Sequence, residues 1–217
     1  MTRIILVRHG QSQHHVLRLS GGWTDTPLTG LGHHQAGLAA NRLREELGTV
    51  PVALHTSDLL RASETAAHLA EALGIDARPD ARLREYNNGD AANLTHDEAQ
   101  RRYPEGYKRS LFDSEVPLFP NGESGAEFLA RCGAFLDSLD PAGTHVAVTH
   151  GGTILGLVAH WLSIPRDALA RMHFMADPAS FTVLTDGRWR TLERLNDTAH
   201  LRGTEGWAGL AGYGESG

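Results

Sequence analysis

Apolar positions along the chain alternate between two patterns. Runs of strand length occur at 3–8 (RIILVR), 51–56 (PVALHT) and 144–149 (THVAVT). Such unbroken runs are expected of strands covered on both faces. Between them the spacing turns helical. Residues 29–47 carry Leu31, Leu38, Leu43 and Leu47 among small residues, with Gly48 as a stop. A second helix is predicted over 58–73, capped by Ser57 or Asp58 and ended by Gly74. Over 123–139, Phe128, Leu129, Cys132, Phe135, Leu136 and Leu139 form one apolar stripe, and 151–162 reads as a helix of small residues. A short extended piece is expected at 75–79 and a helix near 95–102. Phe181–Thr185 and Arg188–Leu195 flank Asp186-Gly187 and predict a hairpin. This alternation predicts an α/β fold, three layers α/β/α around a mostly parallel sheet. The segment 86–122, rich in Asn, Gly, Pro and charge, interrupts it as a helical and loop insertion of the kind that often covers a substrate. Residues 1–203 are expected to form a single domain and 204–217 a flexible tail.

Composition narrows the function. The net charge of −6 argues against nucleic acid or an anionic membrane as a partner bound through bulk charge. No apolar run approaches a membrane span, and MTRIILVRHG is too short for a signal-peptide core. The single cysteine, Cys132, cannot form an intrachain disulfide, which fits a reducing, cytoplasmic setting. The 20 basic residues are 19 arginines and one lysine, Lys108, and there are 13 histidines. That histidine count raises a metal site, yet neither H-E-x-x-H nor C-x-x-C occurs. Neighbours such as His14-His15 and His33-His34 are expected to point in different directions, so no metal or other cofactor is predicted. Two further motifs fail on context. The G-x-G-x-x-G at Gly212–Gly217 follows no strand, and Gly122-Glu-Ser124-Gly125 lacks both the strand and the fifth-position glycine of a nucleophile elbow.

The informative residues stand at strand ends. Arg8, His9 and Gly10 close the first strand, and His150, Gly151 and Gly152 lead from the 144–149 strand into a helix. Ligands of open α/β sheets bind beyond the carboxyl ends of strands, where helix N-termini present free N–H groups to anions. Two histidines, an arginine and glycines at two such ends make an anion pocket.

These motifs resemble those of the histidine phosphatase superfamily, the phosphoglycerate mutase-like proteins. LVRHGQS (6–12), DTPLTGLGHHQA (25–36), TSDLLRASETA (56–66), RLRE (82–85), PNGES (120–124) and THGG (149–152) carry the resemblance in order, over roughly residues 3–200. It implies a phosphoglycerate mutase-like fold and a phosphohistidine at His9, with Arg8 and Arg61 clamping the phosphate. His150 would donate to the phosphoryl group, and Glu85 would protonate the leaving alkoxide and then activate water. Gly10 and Gly151 would let backbone approach the anion, and Ser12 would either contact phosphate or cap a turn. Arginine suits the clamp because its planar fork pairs with two oxygens and keeps its charge.

Two departures stand near the expected pocket mouth. His15 occupies the asparagine position of R-H-G-x-S-x-x-N, and Ala91-Ala92-Asn93 replaces a W-E-G segment. Asn87, Asn88, Asn93 and His15 would either form a more polar wall or only cap turns. H-G-G rather than H-G-N, and only 64 residues between Glu85 and His150, favour a phosphatase over a mutase. The expected activity is metal-independent hydrolysis of a small phosphorylated metabolite. The alternatives are a mutase-type phosphotransferase and a non-catalytic phosphoprotein-binding module. Arg101, Arg102, Lys108 and Arg109 of the insertion would either reach the substrate or form a solvated face, and pairing as a homodimer stays open.

Overall fold

The computed structural model describes residues 1–204; the expected tail from 205 onward lies outside the described residues. Strand β1 (Arg3–Arg8) leads through a single-turn helix α1 (Gln13–Val16) to α2 (Gly30–Leu47). Then follow β2 (Val52–Thr56), α3 (Leu60–Leu73) and β3 (Ala77–Pro79). The insertion carries α4 (His96–Arg102) and α5 (Pro104–Tyr107), and α6 (Gly125–Leu136), β4 (Thr144–Thr149), α7 (Gly151–Trp161) and α8 (Arg166–Leu169) come next. Strands β5 (Phe181–Asp186) and β6 (Arg190–Asp197) finish the sheet, whose order is β3-β2-β4-β1-β5-β6. Its first four strands run parallel, and β5 and β6 add two antiparallel pairings at one edge. The fold is therefore α/β with a mixed, mostly parallel sheet.

The strands are apolar throughout because both faces are covered. Ile4 and Leu6 pack with Phe128, Phe135 and Ile154 of α6 and α7 on one side. Ile5 and Val7 pack with Leu43 and Ala62 of α2 and α3 on the other. The insertion builds its own small cluster from Ala91, Ala99 and Phe119. Ala91 is the first residue of the segment that departs from W-E-G, so a methyl group fills this cluster.

Three boundaries differ from the sequence pattern. Helix α3 starts at Leu60 rather than at 58, because Asp58 is drawn into an ion pair with Arg84 at 2.6 Å. Helix α6 starts at Gly125, where the Ser124–Glu127 capping box sets its first turn. The hairpin turn is not Asp186-Gly187: Asp186 stays in β5 opposite Arg190, and Gly187–Trp189 make the connection. The cause is Thr2, whose backbone N–H and hydroxyl donate to the Asp186 carboxylate at 2.6 and 2.9 Å. Among the described residues no helix is long and apolar enough to cross a membrane.

Two glycines bring the end of β1 against the start of α2. A Cβ at Gly32 would lie 1.9 Å from the Gln11 carbonyl oxygen, and one at Gly10 would lie 2.5 Å from the Gly32 carbonyl oxygen. Backbone on both sides leaves no flexible side chain to yield. Gly32→Ala is therefore expected to destabilise the fold by about 1–3 kcal/mol, the usual cost of overpacking. Urea unfolding of the variant beside Gly37→Ala, which meets nothing within 4 Å, checks this.

Candidate active site

The parallel register of β1 and β4 places Arg8 opposite Thr149, so the residues that follow, His9 and His150, leave the sheet side by side. The His9 N–H donates to the Thr149 carbonyl at 2.9 Å, and the two imidazoles stand 5.1 Å apart. Both are almost completely buried.

Hydrogen bonding fixes the His9 tautomer. Its Nδ1 lies 2.7 Å from the Gly10 carbonyl oxygen. A carbonyl only accepts, so the ring proton sits on Nδ1 and Nε2 keeps its lone pair. That nitrogen accepts from Arg61 Nε at 3.2 Å. Arg61 reaches it from α3 and is 1% exposed; its other nitrogens donate to the Thr24 and Gly22 carbonyls, both at 2.8 Å. Burial lowers its pKa to about 10, which leaves it charged at neutral pH. Arg61 is thus a buried charge and not a surface residue.

Arg8 donates through Nη1 to the Ala176 carbonyl, and its Nη2 lies 3.0 Å from His15 Nε2. The Ser12 N–H approaches His15 Nδ1 at 3.1 Å, so backbone and guanidinium donors flank the ring at its two nitrogens. Ser12 Oγ is engaged with His14 Nδ1 at 2.6 Å, which makes Ser12 an organiser of the turn. Contrary to the expectation from their spacing, His14 and His15 do not diverge. Their rings lie 4.0 Å apart and both approach His9, within 5.8 and 5.6 Å, because Ser12 gathers them. His33 instead pairs with His68 of α3 at 3.1 Å, away from this cluster. Among the described residues no three His, Cys, Asp or Glu side chains are grouped to hold a metal ion.

The histidines are held neutral. Burial, then the charges of Arg61 and Arg8, push His9 and His150 well below the usual imidazole range. Burial first, then Arg61 or Arg8, brings His14 to about 3 and His15 to about 2.

Glu85 enters from the opposite side. Its Oε2 accepts the Gly152 N–H at 2.9 Å, and its Oε1 accepts the Tyr86 N–H at 2.9 Å and the Thr153 hydroxyl at 3.4 Å. The Glu85 carboxyl group thus sits at the N-terminus of α7. Gly152 has no space for a side chain, since a Cβ would meet Glu85 Oε1 at 2.5 Å. Gly151 lies against Arg8, whose Cζ would be 3.7 Å from a Cβ there.

Several more residues hold the site; Arg131 and Trp23 lie outside the quoted motifs, whereas Glu123 and Thr65 lie within PNGES and TSDLLRASETA. Arg131 of α6 donates to the carbonyls of Arg82, Arg84 and Glu85 and pairs with Glu123 at 2.7 Å. Glu123 also accepts the Asn87 N–H at 2.6 Å. The Trp23 indole N–H donates to the Glu85 carbonyl at 2.8 Å, and Thr65 accepts the Gly10 N–H at 3.1 Å. The asparagines differ in what they do, and Asn93 is tied through its backbone N–H to the Thr24 hydroxyl at 2.8 Å. Asn88 ties Ser20, Gly21 and Trp23 together, and Asn87 accepts the Gly89 N–H.

A sheet-end pocket with paired neutral imidazoles, two arginines and a carboxylate on a helix N-terminus defines a protein built to handle a phosphoryl group. The particular family follows from comparison with known proteins. Residues 4–198 match the model of the histidine phosphatase superfamily (branch 1), and the chain belongs to that family. It is 35% identical over 213 residues to a probable phosphoglycerate mutase GpmB of Yersinia enterocolitica, covering 93% of this chain and 95% of that protein. Among solved structures it resembles mycobacterial glucosyl-3-phosphoglycerate phosphatase in complex with VO3, with 30% identity and a TM-score of 0.78 over 90% of this chain and 99% of that one. Bacillus stearothermophilus YhfR is similar, with 29% identity and a TM-score of 0.80 over 93% and 100%. A putative alpha-ribazole-5'-P phosphatase from Escherichia coli has 25% identity and a TM-score of 0.77 over 90% and 96%.

Neutral buried histidines have a thermodynamic consequence. In the unfolded chain they bind protons below pH 6.5, whereas folded His14 and His15 do so only near 3 and 2. Their folded pKa values are depressed, so the unfolded state takes up protons first and stability falls as pH drops below 6.5. Between pH 6.5 and 4.5, the double variant His14→Asn/His15→Asn is expected to lose stability less steeply than wild type. The difference should be about 1 kcal/mol or more per pH unit. Urea unfolding at a series of pH values measures both slopes.

Proposed function

We propose that the protein is a phosphomonoesterase acting on a small phosphorylated metabolite through a phosphohistidine, with no metal in the reaction. The observation that carries this reading is the His9 tautomer: Nδ1–H fixed on the Gly10 carbonyl and the Nε2 lone pair turned toward Arg61. In the first step Nε2 attacks phosphorus, the P–O bond to the alcohol breaks, and Glu85, entering as the protonated acid, gives its proton to the departing alkoxide and is left as a carboxylate. In the second step the Glu85 carboxylate takes a proton from water as its oxygen attacks phosphorus. Phosphate is released and His9 is restored. Arg8, Arg61 and His150 supply donors to the phosphoryl oxygens as charge spreads over them. The phosphatase names of several structural neighbours, and the VO3 complex of one, support this reading.

The mutase name of the Yersinia relatives favours a second reading, in which phosphohistidine returns the phosphoryl group to a substrate hydroxyl. Incubation with a phosphoglycerate, with and without a bisphosphate primer, separates the two. Hydrolysis releases free phosphate in both cases, whereas a mutase isomerises without release and needs the primer. His9→Ala is expected to abolish turnover and 32P labelling of the protein, and Glu85→Gln to lower kcat by about 10²–10⁴-fold. Full activity in EDTA is expected. Loss in EDTA with recovery on adding a divalent metal would overturn the metal-free step.

The alcohol part of the substrate is assigned to a cavity of about 440 Å³ that opens on Glu85 and is walled by Tyr86, Tyr107 and Phe119. Of the four basic residues of the insertion, Arg109 alone lines it. Lys108 pairs with Glu105 at 2.6 Å, and Arg101 and Arg102 border another depression. The Arg109 side chain donates to neutral acceptors, the Ser114 hydroxyl and the Glu105 and Pro117 carbonyls. Its charge therefore favours an acidic group on the alcohol. Arg109→Met is expected to lower kcat/KM for 3-phosphoglycerate about tenfold or more relative to glycerol 3-phosphate, as expected for loss of a charge-assisted contact. Parallel assays of the two esters read the ratio.

A further inference from the structure

Among the residues around the site, Ser57 carries chemistry that the proposed reaction has not used. It lies between β2 and α3, is fully buried, and its Oγ stands 2.9 Å from His150 Nε2. The Leu59 N–H donates to the same oxygen at 3.3 Å, which occupies an acceptor position on the hydroxyl. His150 Nδ1 is buried with no protein partner among the described residues.

We propose that Ser57 is a positioning residue. Its hydroxyl donates to His150 Nε2 and so forces the ring hydrogen onto Nδ1, where it serves as a donor to the phosphoryl group. The argument is an inventory of hydrogens. A neutral imidazole has one N–H and one lone pair, and a serine hydroxyl has one hydrogen. If Nε2–H donated to Ser57, the serine hydrogen would have no acceptor in a sealed position and Nδ1 would present a second buried lone pair. If Ser57 donates to Nε2, its hydrogen is used, Leu59 is served, and only Nδ1–H is left unmade. An unmade donor beside two arginines is what an incoming dianion satisfies; an unmade lone pair there would repel it. Burial and the arginine charges disfavour the imidazolium, which would otherwise donate from both nitrogens whatever Ser57 did.

The tautomer stands independently of the proposed activity; its effect on turnover rests on the phosphatase reading. In protein labelled with 15N-histidine, long-range 1H–15N correlation, assigned with His150→Gln, is expected to show His150 protonated on Nδ1, both alone and with inorganic phosphate. Ser57→Ala should lose this preference and Ser57→Thr, which keeps the hydroxyl, should retain it. With p-nitrophenyl phosphate, Ser57→Ala is expected to lower kcat about tenfold or more, with KM changed less than about threefold, as for a donor that strengthens in the transition state. Ser57→Thr should stay within about threefold of wild type in both constants. A wild-type His150 protonated on Nε2, an unchanged kcat in Ser57→Ala, or equal losses in both variants would overturn the proposal. If wild-type protein released no phosphate from any ester, the activity reading would fail, and the spectra would still decide the role of Ser57.

Discussion

The buried guanidinium of Arg61 is the interaction on which the site depends. Taking a permanent charge out of water costs several kcal/mol unless its donors are met, and here they are met without a carboxylate. Two backbone carbonyls and one imidazole nitrogen take one N–H from each of its three nitrogens. The loop carrying Gly22 and Thr24 must therefore fold down over α3, and Asn88 knots that loop to the insertion through Ser20, Gly21 and Trp23. The charge is solvated by the protein but not cancelled by it. A dianion arriving in the pocket meets a positive centre whose reorganisation was completed on folding, the condition under which electrostatic stabilisation is most effective.

Burial first, and the arginine charges after it, keep the surrounding histidines neutral, and neutrality makes tautomers decisive. An imidazolium donates from both nitrogens; a neutral ring must be told which one. The Gly10 carbonyl gives that instruction to His9 and leaves a lone pair on Nε2, turned toward Arg61. A nucleophile is thus made from a neutral ring by the hydrogen bond at its far nitrogen. The high histidine count, which in the sequence suggests metal, is used here in part as a set of oriented neutral rings.

Much of the fold was legible in the chain because its strands are covered on both sides and so appear as unbroken apolar runs. β1 and β4 match their predicted limits residue for residue. The placement of His9 and His150 at strand ends was equally visible, whereas their adjacency rests on the Arg8–Thr149 register, which no local pattern encodes. His14 and His15 were misread because spacing rules describe regular elements, and a single turn gathered by Ser12 is not one. Arg131 left no signal. Its work is done on the carbonyls of residues remote in sequence, and only its pairing with Glu123, two helical turns earlier, would have hinted at it.

That pairing also links chemistry to selectivity. Glu85 is positioned on one side by the Gly152 N–H of α7 and on the other by a backbone that Arg131, Glu123 and Trp23 hold from three separate elements. The chain then runs directly through Asn87 and Asn88 to Gly89, whose φ of +48° and contact with the Pro120 carbonyl leave no room for a Cβ. From there it becomes the insertion that walls the cavity beside Glu85. The carboxylate and the start of the cavity wall therefore share one short, over-determined stretch of backbone. A shift in the wall of more than a few tenths of an ångström would be felt at the Glu85 oxygens, because close-packed backbone transmits displacement rather than absorbing it. His9 and His150 are spared, since β1 and β4 fix them through their own register. Change in this architecture is thus easiest in the outer insertion beyond Gly89, where the wall can vary while the phosphoryl pocket stays rigid.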